Sequence, residues 1–128
     1  MNTNEKIVNQ KIAEWLKVIS HIYGEYEVLY YYKNYHPVTK LDFIHDRNQQ
    51  KWIEDKLIEL GYRIDYCFEE KGTHWEIIIA KEENANWYDL DYIDNTIYIG
   101  IKNESKDLAF IQAIEQLIDK ENESTKKI

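Results

Sequence analysis

The sequence predicts an α+β sandwich, one sheet of about four antiparallel or mixed strands packed by three helices, and three observations predict it. Apolar residues recur at helical spacing in three segments, and elsewhere they alternate with polar residues at the strand period. The period changes from one to the other within a few residues of Gly61. A helix that runs directly into a hairpin supplies both a sheet with one apolar face and a layer to cover it. The expected order is α-β-α-β-β-β-α in a single domain over residues 1–128.

The elements follow in chain order. Asn4 can cap a first helix carrying Val8, Ile12, Trp15, Leu16, Ile19 and Tyr23 on one side, with Gly24 as its stop. Tyr26 to Tyr32 is rich in aromatic and β-branched residues and reads as a strand with Tyr26, Val28, Tyr30 and Tyr32 facing one way. Tyr35 to Lys40 reads as a connector, because Pro37 lacks an N–H and restricts His36 before it. Asp46 and Gln49 form a reciprocal cap for a second helix, whose Trp52, Ile53, Leu57 and Leu60 share a face and whose stop is Gly61. Tyr62, Ile64, Tyr66 and Phe68 alternate in the first arm of a hairpin, and Trp75, Ile77 and Ile79 alternate in the second. Ile97, Ile99 and Ile101 continue the sheet. Ser105 caps a last helix with an apolar face from Leu108 to Ile118, and residues 121–128 read as a frayed tail. Ile77, Ile79, Ile97, Ile99, Leu57, Ile111 and Ile114 are the expected core.

Composition narrows the function classes. A hydrophobic share of 44% with 31% charged residues is globular, and a charge of −8 leaves no basic surplus to release counterions from phosphates, so direct nucleic-acid binding is not expected. The single Cys67 rules out an intrachain disulfide and a cysteine-rich zinc site, and is expected to be a packed, inert thiol. The N-terminus carries no leader pattern and no apolar run is long enough to span a bilayer, so a cytoplasmic location is expected, with no membrane contact.

Catalytic and metal chemistry find little support in the motifs. His21, His36, His45 and His74 share no ligand spacing, and the Asp89, Asp91, Asp94 series lacks the glycine and the closing glutamate of a calcium loop. The serines have no nucleophile-elbow context, and four glycines make no phosphate-cradling loop. The chain is therefore expected to be no enzyme and to hold no metal or cofactor.

Two aromatic features remain as candidate binding surfaces. Eleven tyrosines exceed what a core needs, and Tyr30, Tyr31 and Tyr32 place a phenol on each side of one strand. Trp87, Tyr88, Asp89, Asp91 and Tyr92 interleave rings with carboxylates in an acidic stretch that holds no Lys or Arg from Glu82 to Asn95. Such a loop can meet a basic groove, acids pairing with Arg or Lys while rings anchor.

Three stretches carry a resemblance to a known family. They are Lys11-Ile-Ala-Glu-Trp-Leu16; Leu41-Asp-Phe43 with Asp46, Trp52, Lys56-Leu57 and Gly61-Tyr62; and Leu108-Ala109 with Ala113-Ile114 and Leu117-Ile118. Together they resemble the small phage proteins of the phage α-β-α sandwich domain, in which Gly-Trp stands where this chain has Lys17-Val18. The resemblance implies a phage or prophage gene. Joined to small size and acidity, it points to a protein-binding inhibitor of host defence, such as an anti-CRISPR protein in the channel of an RNA-guided nuclease in the host cytoplasm. The other reading is a small nucleotide-binding protein, or a minor enzyme, with an aromatic-lined cleft.

Overall fold

In the computed structural model, which describes residues 3–68, 74–81 and 98–126, the element order is α-β-β-β-α-β-β-β-α. The fold is α+β with three helices, as the periodicity predicts, but the strands form two three-stranded antiparallel sheets in place of one sheet of about four. The chain divides into two compact units, Met1–Lys56 and Leu57–Ile128.

In the first unit, α1 (Thr3–Leu16) buries Ile12, Ala13 and Leu16 together with the polar Asn9. It stops eight residues short of Gly24, because Lys17 turns to a φ of 59° and closes the helix itself. Lys17 N–H donates to the Glu14 carbonyl (3.2 Å) and Val18 N–H to the Ala13 carbonyl (3.1 Å), the paired bonds of a Schellman cap. Ile19 and Tyr23, although they fit the helical spacing, belong to β1 (Ile19–Tyr23). Gly24, at a φ of 62°, opens the two-residue turn into β2 (Tyr26–Tyr31), the position where a type II′ hairpin turn requires positive φ. The expected connector is partly β3 (Asn34–Val38), which pairs with β2 through a register shift and carries Pro37 on the sheet edge, where proline is tolerated.

Buried amides fasten the segment that leads into α2 (Arg47–Glu59). Phe43 N–H donates to Asn9 Oδ1 (2.8 Å), Asp42 N–H donates to Gln49 Oε1 (2.8 Å), and Gln50 Nε2 donates to the Phe43 carbonyl (3.0 Å). Asp46 caps the helix as expected, accepting from Asn48 N–H at 2.9 Å. The Gln49 amide does not complete a reciprocal cap; it donates to the Asp46 carboxylate and to the Lys40 carbonyl, both at 3.0 Å. Tyr31, Phe43, Trp52 and Ile53 are buried beside Ile12 and Leu16.

In the second unit, Gly61 takes a φ of 87° after α2, and β4 (Tyr62–Phe68) pairs with β5 (Trp75–Lys81), which pairs with β6 (Tyr98–Asn103). Ser105 Oγ accepts from Leu108 N–H (3.3 Å) and starts α3 (Lys106–Lys126), so most of the expected frayed tail is helical. α3 packs on β5 and β6 with Phe110, Ile114 and Leu117 buried. Ile77, Ile79, Leu57, Ile111 and Ile114 are core as expected, while the side chains of Ile97 and Ile99 lie outside the description. β5 is buried on both faces, since Ile78 and Ala80 are inaccessible as well as Ile77 and Ile79.

Candidate functional site: an outward aromatic face

The surface feature that stands out in the first unit is built by strand alternation on the β1–β2 hairpin. Its register sets Ile19 opposite Tyr30, His21 opposite Val28 and Tyr23 opposite Tyr26, so these six side chains share one face. Tyr23 is 64% and Tyr26 72% exposed. The His21 ring lies nearly parallel to Tyr30, centroids 5.6 Å apart and planes 9° apart, and its other neighbour is Tyr23 at 6.1 Å. Three rings thus run in series across two strands, with Tyr26 directly across from the last. Just past β2, Tyr32 is also exposed, with Lys33 Nζ 5.9 Å above its ring.

The opposite face is buried only at its Tyr31 end, since Ser20, Ile22 and Glu27 on it are exposed. Tyr31 is fully buried, stacked at 6.4 Å on Trp52, which in turn meets Phe43 edge-on at 6.2 Å. Of the three tyrosines singled out by sequence, Tyr31 is therefore a core residue, because alternation turns it away from the face that Tyr30 shares. Trp87, Tyr88, Asp89, Asp91 and Tyr92 lie outside the described residues. Helical spacing, which carries the first helix through Tyr23 to Gly24, does not bring His21 and Tyr23 to this face. The run Val18-Ile19 with Ile22, β-branched at each position, was the signal for a strand.

The remaining histidines stay apart. His45 Nδ1 sits 3.0 Å from the Asp42 carboxylate, on an exposed turn, and no group of three metal-ligating side chains occurs among the described residues. His36 lines a small cavity of about 220 Å³ with Asp46, Asn48, Gln49 and Trp52. A shallower cleft of about 590 Å³ is lined by Lys6, Asn9, Gln10, Lys40 and Leu41, none of them aromatic. Cys67 is exposed near the end of β4, correcting the packed thiol expected from sequence.

The second unit has an aromatic group of its own. Lys106 Nζ lies 4.7 Å from the Tyr66 ring centroid and 5.2 Å from that of Trp75, and Phe68 meets Trp75 at 5.1 Å. The ammonium already sits over the two rings, so this cluster fastens the first turn of α3 to the hairpin. Deeper along α3, Tyr62 Oη donates to Glu121 Oε1 at 3.1 Å. Burial first, then the Glu121 charge and that hydrogen bond, push the Tyr62 phenol well above its ordinary range.

No family model matches the chain, and no curated protein or solved structure matches it. No helix of the described residues is long and apolar enough to cross a membrane.

Proposed function

We propose that the chain is a protein-binding inhibitor that docks a basic partner surface through the outward face of the β1–β2 hairpin. The observation that carries this reading is the series Tyr30, His21, Tyr23 with Tyr26 alongside, large rings held in order on the surface of a chain of charge −8. Tyrosine gives an interface contact area, a hydrogen-bonding tip and a small entropy cost, which is why it anchors interfaces. The acidic segment with Trp87, Tyr88, Asp89, Asp91 and Tyr92 would add carboxylates for the partner's Arg and Lys.

The narrower reading is a phage-encoded inhibitor of host defence, an anti-CRISPR protein that occupies the nucleic-acid channel of an RNA-guided nuclease. It is supported by the resemblance carried on Leu41-Asp-Phe43, Asp46 and Gly61-Tyr62, and by a charge of the same sign as the nucleic acid it would displace. The alternative, a nucleotide-binding protein, draws on Lys6 and Lys40 in the 590 Å³ cleft, a volume within the range of small-ligand sites.

The test is capture of a partner from bacterial lysate on the immobilised chain, repeated with Tyr23→Ala and Tyr26→Ala. Both side chains are exposed, so the fold should survive their removal. A tyrosine acting as an anchor should cost about 2 kcal/mol of affinity or more. Undiminished capture by both variants would overturn the assignment of this face, and nucleotide binding lost in Lys6→Ala would favour the alternative.

A further inference from the structure

We propose that β1 is a self-pairing edge: two copies of the chain join β1 to β1 antiparallel, about a two-fold axis at His21, and so fuse their first sheets into one six-stranded sheet. This inference concerns the backbone edge and does not rest on the proposed function. Among the described residues, in the order β1-β2-β3, β1 has a neighbour on one side only, and Ser20, His21, Ile22 and Tyr23 along it are all exposed. The Tyr23–Tyr26 pair closes a two-residue turn, which makes it a hydrogen-bonded pair, and alternation makes His21–Val28 and Ile19–Tyr30 hydrogen-bonded pairs too. Ser20 and Ile22 therefore turn their N–H and C=O groups to the open side. A row of such groups is a template for another strand.

Two edges bound this sheet, and they differ. The β3 edge is guarded, because Pro37 offers no N–H and the register of β3 on β2 is irregular. The β1 strand carries none of the usual guards in its own residues. Its five residues, Ile-Ser-His-Ile-Tyr, include no proline, no lysine and no carboxylate, and Ile22 stands 75% exposed beside Tyr23.

Charge selects the occupant. A chain of charge −8 repels its own copy over most of its surface, but β1 holds neither acid nor permanent base, so a second β1 can approach with no like carboxylates opposed. A basic strand laid edge-on along β1 would find no carboxylate in it to pair with, whereas the basic partner proposed above would lie on the face of the rings and take its carboxylates from outside β1. The strand is also complementary to itself. With His21 opposite His21 of the second copy, Ser20 falls opposite Ile22 and Ile22 opposite Ser20, and these are the residues with outward N–H and C=O groups. Each such pair exchanges two hydrogen bonds, and the His21 pair becomes the closer-spaced, non-hydrogen-bonded one. Such an interface is isologous and closes at two copies.

Sedimentation equilibrium over a concentration series tests the association, and cysteine crosslinking tests its register. The wild-type chain should rise from 15.5 kDa toward twice that mass as concentration increases. Ser20→Pro, which removes an outward N–H, and Ile22→Lys, at a 75% exposed position, should both stay at the single-chain mass with an unchanged circular dichroism spectrum. In a Cys67→Ser background, His21→Cys should oxidise to a disulfide-linked pair, since non-hydrogen-bonded antiparallel partners sit about 4.5 Å apart at Cα. Ser20→Cys should not, because Ser20 faces Ile22. A single-chain mass at every concentration would overturn the proposal. So would a dimer indifferent to folded Ser20→Pro and Ile22→Lys, or crosslinking no faster at position 21 than at position 20.

Discussion

Lys17 holds a left-handed φ of 59° that costs a side chain about 1 to 2 kcal/mol, and a glycine there would take it without strain. Lys17→Gly gives up some of that gain through unfolded-chain entropy, so a net stabilisation of a few tenths to about 1 kcal/mol is expected. Lys17→Val, branched at Cβ, should destabilise by about 1 kcal/mol or more, and urea midpoints would rank the three chains. Tyr62 makes a second residue-scale case. Its phenol is held protonated in the fold by burial and by Glu121, so the unfolded chain releases that proton first as pH rises. The sign follows: the stabilisation is complete below the ordinary phenol pKa of about 10 and is lost above it. Denaturation midpoints between about pH 8 and about pH 11 should fall more steeply for the wild type than for Tyr62→Phe. Equal slopes would show that Tyr62 does not couple folding to pH.

Among the elements, α2, α3 and the β4–β5 hairpin were legible in the sequence from a capping residue, a closing glycine or an unbroken alternation. Asp46 and Gly61 bracket α2, Ser105 starts α3, and the alternation from Tyr62 to Phe68 and from Trp75 to Ile79 is the β4–β5 hairpin. The first helix was overextended because Ile19 and Tyr23 satisfy helical spacing, while the element that stops it, a left-handed lysine, has no signature in composition. Losing that boundary hid β1, and with β1 hidden the ring series on its face could not be assembled from Tyr30 alone. The strands divide between two sheets because β1 and β3 give β2 a sheet of its own. β5 is the element on which the second sheet depends most, because it is buried on both faces. Truncating its fully buried Ile77 to Ala should cost about 2 to 5 kcal/mol, and so should Leu57→Ala in α2. Thermal melts of the two variants, with circular dichroism to verify the native fold, would reveal that loss, and an unshifted midpoint in either would remove that residue from the core.

At the scale of the whole molecule, the net charge of −8 is absent from β1, which holds no acid. An interface with a basic partner and an interface with a second copy through β1 therefore call on different physics. Association with a basic partner should slow as salt is added, because rim charges are screened over about 8 Å at physiological ionic strength. Pairing through β1 should respond weakly to salt, or strengthen slightly as the overall charge of −8 is screened. Stopped-flow association rates for the first and sedimentation for the second, each measured across a salt series, would tell the two apart; a common response would argue for a single surface. The exposed Cys67, the one thiol in the chain, has a practical consequence for such measurements. A maleimide dye should couple to the folded protein once per molecule, giving a homogeneous optical label without any engineered residue. That label lies on β4 and leaves every ring residue of the β1–β2 hairpin chemically unmodified, so the natural sequence can be followed in fluorescent form.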